Sequence, residues 1–337
     1  MMRKILLITA LILLSLEVIS YSVLKLNGTE TPFLIGLDLK KSNLEKLSKF
    51  NYDEIDPVLG WSIQIKHIEE EGYKSKQDLL LLDNYSDHCS NPYIVLITGG
   101  STSDLIYNAE NWPIYFEQQI AQKHPCYEIY IAAIGGYDSG QELLQLIKFQ
   151  YAVIPDLHIS YSACNDYINQ GLASQYENSL WEEFMAKKPS IILPSTISWI
   201  SSLSTKNSRP IKFAPSKRIS PDLFWMKNQN SMKALALQNN ATFIGVLQPV
   251  VNFSGFELDL AKAEPNLNLK YLDQYNSYYP SLIEFCKTDA SIYDFTNVFE
   301  KATEQPFSDD CHLKNSYFQK IISSAIFGIV DTTTRVD

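Results

Sequence analysis

"VLITGGSTSDLIYN", residues 95–108, carries an apolar run straight into two glycines and a cluster of hydroxyl side chains. Val95 to Ile97 read as a buried strand. Gly99-Gly100 permit backbone angles that other residues resist, so the chain turns sharply and presents Ser101 at the strand's end. A serine placed there stands at the sheet edge, as a nucleophile must. A phosphate-binding loop also follows a strand with glycines, but it requires a Lys-Ser/Thr pair, and no Lys lies between residues 77 and 122. Taken alone, such a corner is an ordinary strand-to-helix turn, so the surrounding chain has to decide.

The surrounding chain is regular after residue 90. Apolar runs "YIVLIT" (93–98), "EIYIAAI" (128–134), "LHISYSA" (157–163) and "TFIGVLQPV" (242–250) are each bounded by Gly, Pro, Asn or Ser, as buried strands are. Between them Trp112, Tyr115, Phe116 and Ile120, then Leu143, Leu144 and Ile147, recur at three- and four-residue spacing and predict helices with one buried face. Strands alternating with helices imply a parallel sheet covered on both sides. The stretch "SWISSLSTKNSRPIKFAPSKRISP" (198–221), rich in Ser, Lys and Pro, reads as a long surface insertion.

The whole chain has 337 residues, 45% of them hydrophobic, which suits a folded protein with a sizeable core. Its formal charge of −10 argues against nucleic acid as a partner, because that affinity rests on Lys and Arg neutralising phosphates. Fixed-period repeats and low-complexity tracts are absent. Residues 1–26 stand apart: Arg3 and Lys4 precede the apolar run Ile5–Leu16, the order that directs a chain to the secretory machinery. The expectation is export, with the segment retained as a single-span anchor, its charged end in the cytoplasm and the bulk outside. Cleavage to a secreted or periplasmic form is the alternative. Residues 27–90 form a membrane-proximal lead-in, in which "LKKSNLEKLSK" (39–49) reads as a solvated helix or linker.

In an open parallel sheet, ligands bind beyond the carboxyl ends of the strands. Three such ends are unusual here: Gly99-Gly100-Ser101, "IGGYDSG" with Gly136, and "SACNDY" with Asn165 and Asp166. Gly136 follows Ser101 by 35 residues and Asn165 follows Gly136 by 29, each about one strand-helix unit, so all three fall on one rim. Near the C-terminus "SDDCHLKNS" (308–316) places Asp309 three residues before His312, ahead of a final helical pattern. Acyl transfer needs this set. Ser101 would be the nucleophile, His312 its base, and Asp309 the carboxylate that fixes the imidazole tautomer. The N–H of Ser101, the amide of Gly136 and the side chain of Asn165 would stabilise the oxyanion. The other histidines, 67, 88, 124 and 158, lack the spacing of a zinc site. There is also no G-x-S-x-G elbow of the α/β-hydrolase kind.

These four blocks, in this order, resemble the SGNH (GDSL-type) hydrolase superfamily over roughly residues 90–330. "DPVLGWS", Asp56 to Ser62, looks like the membrane-proximal motif of its membrane-anchored envelope subgroup. Two positions depart from the family pattern: Gly100 stands where many members have Asp, and Ala163 replaces the Gly usually found two residues before the oxyanion Asn. The resemblance implies a three-layer α/β/α fold with a central, mostly parallel, flavodoxin-like sheet over residues 91–332, preceded by the N-terminal hydrophobic segment, and no cofactor or metal. It implies a serine esterase acting on acyl esters, acetyl among them, of glycans or small molecules, with no protein partner indicated. The same fold also serves acyltransferases, where a sugar hydroxyl replaces water. A third possibility is an idle glycan-binding domain, against which the complete residue set argues. In this fold the strands after Cys89 and Cys126 are parallel neighbours entering from one edge, so those cysteines are expected to pair. Cys164 and Cys311, each directly before a site residue, are expected to approach one another at the rim, where a second bridge could brace the site, and Cys286 is left over.

Overall fold

The computed structural model describes residues 65–83, 89–149, 152–168, 219–257, 269 and 271–333. All of these belong to one compact unit formed by Phe50–Gln175 and Ile219–Asp337. The N-terminal segment, the "DPVLGWS" motif and residues 198–218 of the expected insertion lie outside the described residues. Among the described residues no helix is long and apolar enough to cross a membrane.

Strand β1 (Lys74–Lys76), β2 (Leu79–Asp83), β3 (Tyr93–Gly99), β4 (Tyr127–Ile131), β5 (Leu157–Ser162), β6 (Thr242–Leu247) and β7 (Ile292–Asp294) make one sheet in the order β1-β2-β4-β3-β5-β6-β7. From β4 to β7 every pairing is parallel, with Val95 opposite both Ile129 and Leu157. This is the flavodoxin-like doubly wound order. Its switch point lies at β3, whose two neighbours are reached in opposite directions, and such a point opens a crevice beyond the strand ends. Ser101 follows β3, so the sheet topology itself carries this residue to the crevice.

Helices α1 (Ile65–Glu70), α2 (Trp112–Lys123), α3 (Ser139–Phe149), α4 (Cys164–Ile168), α5 (Pro221–Gln238), α6 (Leu272–Cys286) and α7 (Ser316–Thr333) complete the described elements. The strand pleat divides the core in two. Val95, Ile97, Ile129 and Ile244 meet Trp112, Phe116, Ile120, Phe318 and Ile322 of α2 and α7 on one face. Leu96, Tyr130, Phe243 and Leu247 meet Leu146, Trp225, Met232 and Tyr279 of α3, α5 and α6 on the other. Alternate strand residues point to opposite faces, so a central strand buried on both sides reads as a continuous apolar run.

Three features differ from the sequence expectations. The sheet begins before residue 91: β1 and β2, inside the presumed lead-in, form a hairpin that pairs antiparallel with the outer edge of β4. On α3 the buried face is Glu142, Gln145, Leu146 and Phe149, whereas Leu143 and Leu144 are half-buried and Ile147 is exposed. Glu142, on that face, enters a hydrogen-bonded network that apolar periodicity does not register. Finally, α5 begins at Pro221, so the last residue assigned to the insertion starts a helix, proline being well suited to a first helical turn.

Candidate active site

Ser101 Oγ lies 2.6 Å from His312 Nε2, although 211 residues separate them in the chain. On the far side of the imidazole, Nδ1 lies 2.7 Å from Asp309 Oδ2. With a proton on Nδ1 both contacts are satisfied, Nδ1–H donating to the carboxylate and Nε2 accepting from the serine hydroxyl. The Asp309–His312 spacing works because Asp309 Oδ1 also accepts the backbone N–H groups of Cys311 (3.0 Å) and His312 (2.8 Å), which folds the three-residue step into a tight turn. Burial pushes the Asp309 carboxyl up, but the hydrogen bond and charge of His312 and those two N–H groups outweigh it and hold it below the usual carboxylate range.

The loop that delivers His312 is tied down at several points. His312 O accepts from the Ser308 N–H, Pro306 O accepts from the Lys314 N–H, and Phe307 bridges to Leu313. Asp310 O accepts from the Val251 N–H while its side chain accepts from the Tyr271 N–H. Cys311 forms a disulfide with Cys164, their Cα atoms 6.5 Å apart, which links the turn before His312 to the residue before Asn165. The other bridge, Cys89–Cys126, has Cα atoms 5.6 Å apart and sits where β3 and β4 enter the sheet, and Cys286 is free and buried. Asp309, Cys311 and His312 bring potential metal-ligand atoms within 4.8 Å of one another. The Cys311 sulfur is committed to Cys164, however, and the carboxylate to the imidazole.

Asn165 and Gly136 stand on the same rim. The Asn165 amide donates to Tyr137 O at 2.9 Å. Gly136 holds φ +82° in the turn closed by the Tyr137 N–H to Ile134 O, a conformation that glycine adopts without strain. That turn is joined to the serine corner by the Ile134 N–H to Gly99 O. Neither Gly99 nor Gly100 has a positive φ, so the corner does not need glycine for its backbone angles. The need at Gly100 is steric, for a Cβ there would meet Asn165 Nδ2 at 2.5 Å and Tyr137 O at 3.2 Å. Ala163, by contrast, holds φ +110°, where an L-residue is strained. It is fixed by Tyr278 Oη–H donating to its carbonyl at 2.8 Å.

Several supporting residues were not singled out in the sequence. Asp104, buried, accepts the N–H groups of Ile106 and Tyr107 through Oδ1 and that of Gly135 through Oδ2, joining the loops after β3 and β4. Asn111 opens α2 but does not cap it. Its Nδ2 donates to Ser101 O (2.7 Å) and Asp104 O (2.8 Å), while its Oδ1 accepts from Gln319 of α7. Gln248, after β6, accepts from Thr102 Oγ1. An Asn before a helix reads as a cap, so only the fold reveals these bonds.

Beneath the rim lies a buried polar cluster. Glu142 Oε2 accepts from Thr98 Oγ1 and Ser160 Oγ, and Gln229 Nε2 donates to Ser160 Oγ. Burial pushes the Glu142 carboxyl up to about 7 and the His158 imidazole down to about 3. Asp166 accepts from both the N–H and the hydroxyl of Ser139. Burial, followed by the charge of Asp138, raises its carboxyl well above the usual range.

No protein-family model matches the chain, and no curated protein matches it. Solved structures do resemble it. A psychrotrophic esterase of a Pseudoalteromonas species is 11% identical with a TM-score of 0.39, covering 72% of this chain and 98% of that one. A GDSL-like lipase from Bacteroides thetaiotaomicron is 12% identical with a TM-score of 0.40, covering 72% and 89%. An acetylxylan esterase from Geobacillus stearothermophilus is 13% identical with a TM-score of 0.39, covering 71% and 94%. These are likenesses of outline, and the chemistry is decided by the side chains on the rim.

Proposed function

We propose that the chain is a serine hydrolase of the SGNH kind, cleaving carboxylic esters through an acyl-enzyme on Ser101. The observation that carries this is the continuous contact Ser101 Oγ–His312 Nε2–Asp309, at 2.6 Å and 2.7 Å, at the switch point of a doubly wound sheet. In this proposal His312 takes the hydroxyl proton as Ser101 Oγ attacks the acyl carbon, and Asp309 supports the imidazolium that forms. Asn165 supplies a side-chain N–H to the oxyanion, with the backbone amides of Ser101 and Gly136 completing the set. The substrates are acyl esters, acetyl esters among them, of glycans or small molecules.

We also propose that the domain works outside the cytoplasm. Arg3 and Lys4 ahead of Ile5–Leu16 support this, as do two cystine bridges of a kind that persists in oxidising compartments. The test of the reaction is covalent. Treated with a fluorophosphonate, the wild-type protein should take up one label on the peptide containing Ser101, and the Ser101→Ala protein none, with p-nitrophenyl acetate hydrolysis lost in parallel. A folded Ser101→Ala protein with wild-type turnover would overturn the proposal.

A further inference from the structure

Tyr107 borders the Ser101–His312 pair, and the loop fixes its place rather than the core. Its backbone N–H donates to Asp104 Oδ1 at 3.2 Å, and the next residue, Asn108, donates its N–H to Asp104 O at 3.1 Å. Asp104 is itself anchored to Gly135 across the rim. From this fixed backbone the Tyr107 ring lies against the His312 imidazole, with centroids 5.2 Å apart and planes 26° from parallel. Yet Tyr107 remains 44% exposed, whereas Leu105, two residues before it, is 1% exposed. A large aromatic ring on a rigid loop, left open to solvent beside the base, adds little to the core. Burial, then the charges of Asp309 and Asp104, raise its phenol above the usual range.

The chemistry of ester cleavage says which half of a substrate meets that ring. As the bond from Ser101 Oγ to the acyl carbon forms, the serine proton passes to His312 Nε2. As the bond from the acyl carbon to the alcohol oxygen breaks, the same proton passes from Nε2 to the departing oxygen. The alcohol oxygen must therefore come within hydrogen-bond reach of Nε2. The alcohol portion then occupies the space beside the imidazole, which Tyr107 borders.

Resting on the acyl-enzyme proposal, we infer that Tyr107 is the specificity-determining residue on the alcohol side. It favours esters whose alcohol carries a ring with a flat apolar face, a pyranose or an aryl group, over short acyclic alcohols. An exposed aromatic face stacks on such a ring, and a small chain offers it little area.

The test compares the full chain with Tyr107→Leu and Tyr107→Phe on three acetates: phenyl acetate, an acetylated methyl pyranoside and ethyl acetate. Each variant is read as a ratio to wild type on the same ester, so that intrinsic leaving-group reactivity cancels. Tyr107→Leu should lower kcat/KM about five- to tenfold on the ring esters, mainly through KM, and several-fold less on ethyl acetate. Tyr107→Phe should restore phenyl acetate turnover to within about threefold of wild type, because the ring remains. Loss on the pyranoside alone, or on phenyl acetate alone, identifies which ring is selected. Equal losses on all three esters, with Ser101 still labelled by fluorophosphonate, overturn the alcohol-side role and leave the acyl-enzyme standing. Absence of the Ser101 label overturns both.

Discussion

A methyl group on residue 100 would stand 2.5 Å from the amide nitrogen of Asn165, closer than side-chain carbons approach their neighbours in folded proteins. The glycine before Ser101 thus leaves room for the donor opposite, and the two loops are matched to each other. Of the two obstacles, Tyr137 O at 3.2 Å belongs to the backbone and is the harder to move, so the Asn165 side chain yields. In the proposed reaction Asn165 is an oxyanion donor, so Gly100→Ala should act as a loss of that donor. We expect kcat on p-nitrophenyl acetate to fall about 10²–10³-fold, as for removal of one such donor. Adding Asn165→Ala to Gly100→Ala should lower it little further, because both remove the same contact. Wild-type kcat in Gly100→Ala would refute the match.

Ala163 tests the backbone on the next strand end. Three effects oppose one another in Ala163→Gly: relief of strain at φ +110°, about 1–3 kcal/mol, against roughly 1 kcal/mol for the lost buried methyl and 0.5–1 for the freer unfolded chain. They should cancel to within about 1 kcal/mol, so urea midpoints of Ala163→Gly and wild type should nearly coincide. Ala163→Val adds bulk at a fully buried site and places a β-branched residue at a φ it resists, and should lose more than about 3 kcal/mol. Equal behaviour of the two variants would show that the backbone at this position relaxes freely.

Much of this arrangement was legible in the chain because buried parallel strands are continuous apolar runs with breakers at their ends. β3, β5 and β6 start at Tyr93, Leu157 and Thr242, where their runs begin. Ser101, Gly136 and Asn165 were legible for the same reason, since they follow strands whose ends share one rim, whereas Asp309 and His312 were legible from their three-residue spacing ahead of the final helical pattern. β7 spans three residues, too few to show a period, and β2, "LLLLD", has no polar alternation although it pairs antiparallel. Glu142 and Asn111 were hidden for another reason. Their partners, Thr98 and Ser160 for one and Ser101 and Gln319 for the other, lie on different elements, and a polar side chain does not announce which one it will meet.

Glu142 makes stability depend on pH. Its carboxyl is held at about 7 in the fold, raised by burial against the hydrogen bonds of Ser160, Ser162 and Thr98, and lies at 4.5 when unperturbed. Between those values the unfolded chain has lost the proton that the folded one keeps, so the folded state binds more protons and stability falls as pH rises. The full difference is present below pH 4.5 and gone above about 7, and amounts to about 3 kcal/mol. Asp166, raised in the same direction, adds a slope of the same sign. Glu142→Gln keeps the shape without the titration, so urea unfolding of this variant should lose less stability between pH 4.5 and 7.5 than wild type does. Identical pH profiles would mean that folding does not raise the Glu142 carboxyl above its unperturbed 4.5.

The two disulfides should separate stability from catalysis. Cys89–Cys126 closes 37 residues and Cys164–Cys311 closes 147, which in the chain-entropy treatment corresponds to about 4 and about 5 kcal/mol of stabilisation respectively. Both Cys→Ser pairs should therefore lower the unfolding midpoint by comparable amounts. Their effects on turnover should differ, because Cys89–Cys126 lies at the amino ends of β3 and β4, remote from the rim, whereas Cys164 and Cys311 adjoin Asn165 and His312. Losing the second bridge frees the donor segment and the base segment to move relative to each other, and a displacement of about 1 Å in such a constellation can cost 10²-fold. At a temperature where both variants are folded, Cys164→Ser/Cys311→Ser should lose tenfold or more in kcat, on the order expected for a loosened site, while Cys89→Ser/Cys126→Ser stays near wild type. Tyr275 Oη, 3.1 Å from Cys164 Sγ, remains to hold one side, so the loss should fall short of that in Ser101→Ala. Full kcat after removal of the Cys164–Cys311 bridge would assign the alignment of the site to the loop's hydrogen bonds alone.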